Sequence, residues 1–248
     1  MLNIVIPMAG RGSRFLEAGY KDPKPLIQIF NKTMIEIVVN NLTPKMHHRF
    51  IFICQEEHIK KYKLKDKLVS FTKNAEIIGI NHITEGQLST VLESIRFIDN
   101  DEPLMTANSD QYIDFDINNY LEYMKINEFD GLIMTMTAND PKWSFVKTDE
   151  NNLVIETAEK KVISNEATVG IYNFKYGRYL VNAAKKMISE NIRVNGEFYT
   201  CPAYNYLIKD GLKIGIYNIG EESNGMYGLG TPNDLELFLN NAVSEKIK

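Results

Sequence analysis

The apolar run Ile4-Val5-Ile6-Pro7 and the loop that breaks from it, Met8-Ala9-Gly10-Arg11-Gly12-Ser13-Arg14, constrain this chain more than any other stretch. A short apolar run ended by proline reads as a buried strand. The loop behind it combines two glycines, two arginines and a serine, so it offers free backbone N–H groups beside fixed positive charge. Lys24, held between Pro23 and Pro25, follows at once. Such a loop at a strand end suits a ligand with several negative oxygens. A nucleoside triphosphate is the natural guest.

Two other glycine loops are excluded by what stands at their key positions. The dinucleotide fingerprint needs a third glycine or an alanine where this chain has Phe15, and the phosphate loop of ATPases needs Gly-Lys followed by Ser or Thr. What remains resembles the sugar-phosphate nucleotidyltransferase family, whose opening pattern is Gly-x-Gly-x-Arg followed by Pro-Lys. Gly10, Gly12, Arg14, Pro23 and Lys24 fill those places in order.

Composition narrows the setting. The 248 residues suffice for a sizeable core, and 44% hydrophobic with 24% charged content is that of an ordinary globular chain. A net charge of −4 without a basic stripe argues against nucleic acid as partner. Cys54 and Cys201 stand far apart without metal-ligand spacing, so two free buried thiols are expected. No signal peptide or membrane-length apolar run is present, and a cytoplasmic protein without a membrane partner is expected. Oligomeric state leaves no signal in the sequence.

Strand-like and helix-like runs alternate through the first half. Arg49 to Cys54, Glu76 to Ile80, Pro103 to Ala107 and Leu132 to Thr137 read as strands. Glu56 to Leu68 and Leu88 to Ile98 read as helices. The predicted fold is an α/β, Rossmann-like, mixed but mostly parallel sheet flanked by helices, with ligands beyond the carboxyl ends of the strands. In the second half, Phe145-Val146-Lys147 and Val154-Ile155-Glu156 flank turn residues and read as a hairpin. Thr168 to Phe174 and Ile214 to Ile219 read as strands, Tyr179 to Ser189 as a helix, and a terminal helix starts at Pro232. A single domain over 1–248 is expected, with 1–140 binding nucleotide and 141–248 forming a small acceptor-binding lobe and a closing helix.

Nucleotidyl transfer requires a phosphate oxygen to attack the α-phosphorus of a nucleoside triphosphate while pyrophosphate leaves. The protein need only align the groups and neutralise charge. Arg14 and Lys24 are the expected cationic clamps, with Arg11 as a third and Met8, Ala9, Gly10, Gly12 and Ser13 as the loop around the nucleotide. A hard divalent cation, Mg2+, suits the chemistry. The resemblance implies that Asp110, in Asn108-Ser109-Asp110, is its ligand, with Asn108 capping the loop or touching the ribose. It also implies that Glu85-Gly86-Gln87-Leu88-Ser89-Thr90 reads the base. Gln87 offers both a donor and an acceptor to a pyrimidine edge, and Ser89 or Thr90 serves equally well as a helix cap.

Further on, Glu159-Lys160-Lys161 resembles the segment whose lysine meets the acceptor phosphate, leaving Lys160 and Lys161 both open for that role. Gly170-Ile171-Tyr172, Glu197-Phe198-Tyr199 and Gly230-Thr231-Pro232 resemble later family segments. Glu197, Tyr199 and Trp143 are expected around the acceptor. One departure stands out. Many members carry a metal-binding aspartate two residues before the closing Gly-Thr, and here that place is Gly228. Asp110 alone, Glu197, Glu221 or Glu222 are the options that remain. Together these features look most like the small cytidylyltransferases that activate non-sugar phosphates, in particular the phosphoglutamine cytidylyltransferases of capsule phosphoramidate synthesis. That resemblance implies CTP and a small phosphorylated acceptor, L-glutamine phosphate, as partners. The alternatives are a sugar 1-phosphate nucleotidyltransferase using UTP, dTTP or CTP, and a catalytically silent nucleotide-binding regulator.

Overall fold

A computed structural model describes residues 1–248. Its strands are β1 (Leu2–Pro7), β2 (Gln28–Ile29), β3 (Lys32–Thr33), β4 (His48–Gln55), β5 (Ala75–Ile80), β6 (Leu104–Ala107), β7 (Gln111–Ile113), β8 (Gly131–Thr137), β9 (Ser144–Thr148), β10 (Val154–Glu159), β11 (Glu166–Phe174), β12 (Ile214–Glu222) and β13 (Gly225–Gly228). Its helices are α1 (Ser13–Glu17), α2 (Met34–Leu42), α3 (Glu56–Tyr62), α4 (Leu64–Phe71), α5 (Gln87–Leu92), α6 (Ile95–Ile98), α7 (Ile117–Ile126), α8 (Gly177–Ser189), α9 (Tyr204–Lys209) and α10 (Pro232–Leu239). The main sheet runs β5-β4-β1-β6-β11-β8-β12-β13-β7, with the β9–β10 hairpin branching from β11. Around β1 and again around β12 the pairings are parallel, while β11 runs against both β6 and β8. The sheet is thus mixed and mostly parallel, as the alternation of elements predicts.

Period-two alternation explains why helices cover both faces. Along β1, Ile4 and Ile6 enter one core while Val5 enters the other, and along β4 Phe50 and Phe52 oppose Ile51 and Ile53 in the same way. A third, smaller core joins the two chain ends. Phe15 of α1 packs there with Tyr112, Tyr227, Leu229, Leu235 and Phe238, which ties the glycine loop to β7, β13 and α10. Cys54 and Cys201 are buried and free, and burial raises the Cys54 thiol to about 12. No helix is long and apolar enough to cross a membrane.

Two expected helices are each broken in two. At Lys63 the backbone turns left-handed (φ 49°), ending α3, which buries nothing, and starting α4, which buries Leu64 and Leu68. The break re-aims the chain so that this leucine pair meets the core. In the second case, Ser94 is fully buried and returns its hydroxyl to the Val91 carbonyl at 2.6 Å, separating α5 from α6. Helices α2 and α7 and the short strands β7 and β13 have no counterpart in the sequence reading.

Candidate active site

The site begins where β1 and β6 end side by side. β1 closes at Pro7, and its Gly12 adopts φ 62° as the left-handed cap before α1. A side chain at Gly12 would approach Lys24 Cβ to 3.3 Å, so glycine is needed for both the turn and the close approach of the lysine segment. The short helical turn over Lys24–Leu26 buries Pro25 and Leu26, which anchors Lys24 while its ammonium reaches outward. That ammonium meets Asp110, delivered by the loop after β6: Lys24 Nζ lies 2.7 Å from Asp110 Oδ2, both groups about one-fifth exposed (21% and 20%). Residues 86 apart in sequence thereby share one polar contact.

A cavity of about 490 Å³ opens above this pair. Arg14, Lys24, Gln87, Asn108 and Asp110 line one part, and Trp143, Glu159, Lys160, Glu197 and Tyr199 line another. It sits over the carboxyl ends of β1 and β6 and the start of the reversed strand β11, whose Thr168 and Gly170 also face it. A larger hollow of about 940 Å³ lies at the opposite edge, where Leu2 begins β1. There Lys175 is engaged by Asp130, and Lys213 by the Asn127 carbonyl. The smaller cavity is the better candidate, because in open α/β sheets the carboxyl ends of strands form the binding crevice.

Around the cavity the polar groups hold one another in place. Gln87 opens α5 and donates its amide to Asn108 Oδ1, leaving its own carbonyl oxygen and second N–H for a ligand. Ser144 donates to Glu159 Oε2, and Lys160 Nζ donates to Tyr199 Oη at 2.8 Å. Burial raises the Glu159 carboxyl above its ordinary range, against the opposing pull of Ser144 and Lys160. The Tyr199 contact, helped by Glu159 and Glu197, raises the Lys160 ammonium and keeps it charged. Lys160 itself is held at φ 53°, a strained backbone for a residue with a side chain. The indole N–H of Trp143 is buried without a partner.

Of the residues expected from sequence, Arg14, Lys24, Gln87, Asn108, Asp110, Trp143, Lys160, Glu197 and Tyr199 line the one cavity. Arg11, Gly10 and Ser13 lie in the exposed part of the glycine loop beside it, while Met8 and Ala9 are buried beneath. Three others fall elsewhere. Lys161 is exposed and off the cavity wall, so Lys160 is the lysine that faces inward. Thr90 is buried, with its hydroxyl bonded to Thr84 and the Gly86 carbonyl, and Ser89 does not reach the lining. Neither caps α5, because Gly86 precedes it without a side-chain cap. Glu222, an option for the metal, is instead paired with Lys142 at 2.9 Å. Lys142 and Thr168 line the cavity unannounced by any motif, and Glu159, Ser144 and Tyr172, which the sequence offers only within longer segments, line it too. Glu159 sits beside Lys160 at the end of a strand, and that adjacency was the signal available for it.

No three His, Cys, Asp or Glu side chains gather into a cage for a metal. A magnesium ion does not need one, since one or two carboxylates and the substrate phosphates suffice. The fit is favourable at Asp110. A Cβ on Gly230 would come within 2.7 Å of Asp110 Oδ2, so glycine keeps the space beside this hard oxygen open. The Lys24 ammonium already places a positive charge on the same oxygen.

Comparison with known proteins bears on the family and the fold. Residues 4–203 match the model of the family described as nucleotidyl transferase. The chain is similar to the bifunctional protein GlmU of Clostridium tetani (24% identical over 234 residues, covering 90% of this chain and 49% of that protein). It is likewise similar to 2-C-methyl-D-erythritol 4-phosphate cytidylyltransferase of Wigglesworthia glossinidia brevipalpis (25% over 205 residues, 78% of this chain and 79% of that protein). Among solved structures, the nucleoside-diphosphate-sugar pyrophosphorylase of Vibrio cholerae RC9 superposes with a TM-score of 0.83 at 27% identity, covering 95% of this chain and 99% of that one. The chain spans about half the length of the GlmU proteins it matches. Matched over most of its length, the chain belongs to the nucleotidyl transferase family.

Proposed function

We propose that this protein transfers CMP from CTP to a small phosphorylated acceptor, releasing pyrophosphate, and that the acceptor is L-glutamine phosphate in the synthesis of a capsular phosphoramidate. The observation that carries the transfer chemistry is the Lys24–Asp110 pair sharing one cavity with Arg14 and Lys160. In the reaction, an acceptor phosphate oxygen bonds to the α-phosphorus of the nucleotide while the bond from that phosphorus to the β-phosphate oxygen breaks. No protein nucleophile is consumed and no proton has to move. Arg14 grips the triphosphate as a planar fork, and Lys24 leaves Asp110 to meet it as a point charge. Lys160, held charged by Tyr199, receives the acceptor phosphate. Gln87, fixed by Asn108, faces the base. Asp110 would hold a divalent cation, which when bound would neutralise phosphate charge.

Two observations support the choice of CTP and acceptor. A relative covering most of this chain is named a cytidylyltransferase for a phosphate that is not a sugar 1-phosphate. The acceptor wall mixes Glu159 and Glu197 with Lys142 and Lys160, a set complementary to an ammonium and a carboxylate carried together. Pyrophosphate release across CTP, UTP, dTTP and GTP, each paired with L-glutamine phosphate and a panel of hexose 1-phosphates, tests the reading. Turnover is expected with CTP and glutamine phosphate. Turnover with a hexose 1-phosphate alone would replace this acceptor by a sugar, and nucleotide binding without any turnover would favour the silent regulator.

A further inference from the structure

A carboxylate outside the lined cavity sits against the same gap as Asp110. Asp234 lies in the first turn of α10, where Thr231 caps the helix by accepting the Asp234 backbone N–H at 3.1 Å. Its own carboxylate forms no ion pair or hydrogen bond, and it points toward two glycines. A Cβ on Gly228 would come 3.4 Å from Asp234 Cγ and 3.6 Å from its Oδ2. A Cβ on Gly230 would come 2.7 Å from Asp110 Oδ2 and 4.0 Å from Asp234 Oδ2. The two carboxylates therefore flank one point at Gly230, and the Asp234 carboxylate lies in contact range of the place where a side chain at position 228 would begin.

We propose that Asp234 supplies the second carboxylate for the divalent cation that accompanies the nucleotide, opposite Asp110. This rests on reading the cavity as a nucleotide site. The charge balance favours it. Without nucleotide, the Lys24 ammonium is the one cation on Asp110. When Lys24 turns to the triphosphate, two like charges are left facing one gap, and a dication removes that repulsion. A hard ion with six oxygen ligands takes one or two carboxylates plus phosphate oxygens and water. Asp234 stands on an element joined to the site through the third core, in which Leu235 and Phe238 pack on Tyr112 and Tyr227, so its position is set by packing. Gly228 stands where many relatives carry an aspartate, and the Asp234 carboxylate lies 3.4–3.6 Å from where that side chain would start.

The test is Mn2+ binding followed by electron paramagnetic resonance on the full-length chain, with CTP present and acceptor absent. Asp234→Asn is expected to weaken Mn2+ in the ternary complex by about tenfold or more, in the range seen when groups supporting a metal site are removed. CTP affinity measured by calorimetry in chelator should be unchanged. If Asp234 serves only the start of α10, the variant loses thermal stability while Mn2+ affinity stays at the wild-type value, and the proposal falls. Should Asp234→Asn fold poorly, Asp234→Ser retains a helix-start acceptor without the charge, and wild-type Mn2+ affinity in that variant overturns the idea equally. If the wild-type chain binds neither CTP nor UTP, dTTP or GTP in chelator, the nucleotide reading itself fails and takes this inference with it. Nucleotide binding with Asp234-independent Mn2+ removes this inference alone.

Discussion

On the proposed reading Lys24 exchanges one partner for another during a turnover, which makes it the most sensitive residue of the site. Its resting partner is Asp110, 2.7 Å away, and on that reading a polyphosphate takes its place. Lys24→Ala is expected to lower kcat/KM by about a hundredfold or more, the scale of losing one preorganised charge-stabilising donor. Steady-state pyrophosphate release checks it. Asp110→Asn should abolish magnesium-dependent turnover while circular dichroism remains native, and wild-type activity in that variant would remove the metal assignment. Glu159 gives a prediction of a different kind. Burial raises its folded pKa above the ordinary 4.5. As pH climbs past that value, the unfolded chain gives up its proton before the folded one does, so stability falls with rising pH. Glu159→Gln removes this dependence. Melting temperatures of variant and wild type should coincide below about pH 4 and diverge in the variant's favour as pH rises past the ordinary carboxylate pKa. Parallel profiles at all pH values would show that the carboxyl is ionised in place.

At the scale of elements, caps and breaks decide where side chains point. Thr231 caps α10 by accepting the Asp234 backbone N–H, and Thr231→Ala should cost about 1 kcal/mol. For a chain of this size that lowers Tm by about 2–4 °C, measurable by calorimetry. Strand character was legible wherever apolar runs were strong. Ile4 to Pro7 and Arg49 to Cys54 lie within β1 and β4, and the Asp149–Asn152 turn does join antiparallel strands. Helix continuity was not legible. Nothing in the composition of Lys60-Lys61-Tyr62-Lys63 signals a left-handed residue, because the break serves Leu64 and Leu68, whose core contacts lie far away in sequence. β7 and β13 are of three and four residues, and their pairing spans more than a hundred positions, so no local pattern marks them.

On the scale of the molecule, residues 1–140 and 141–248 share one sheet. β8 ends at Thr137, yet its two neighbours are β11 and β12, both from the later part. The fragment 1–140 therefore leaves both edges of β8 unpaired and its apolar residues without cover. It is expected to show no cooperative urea transition, whereas the full chain should unfold in one step when followed by circular dichroism and by Trp143 fluorescence together. Two separate transitions in the full chain would show the acceptor part to be independent.

Elements whose information is local follow from the sequence alone: the buried strand, the glycine loop, the proline-held Lys24 and the alternation of strands and helices that puts cover on both faces of a sheet. Only the tertiary structure decided which distant residues share a contact. It chose Lys160 over Lys161, bonded the Thr90 hydroxyl to Thr84 and the Gly86 carbonyl, and brought Asp234 beside the gap at Gly230. The physical reason is range. Propensity and periodicity act over a few residues, whereas the direction of a side chain into a cavity depends on how whole strands and helices pack, and that is set by contacts between positions far apart in the chain.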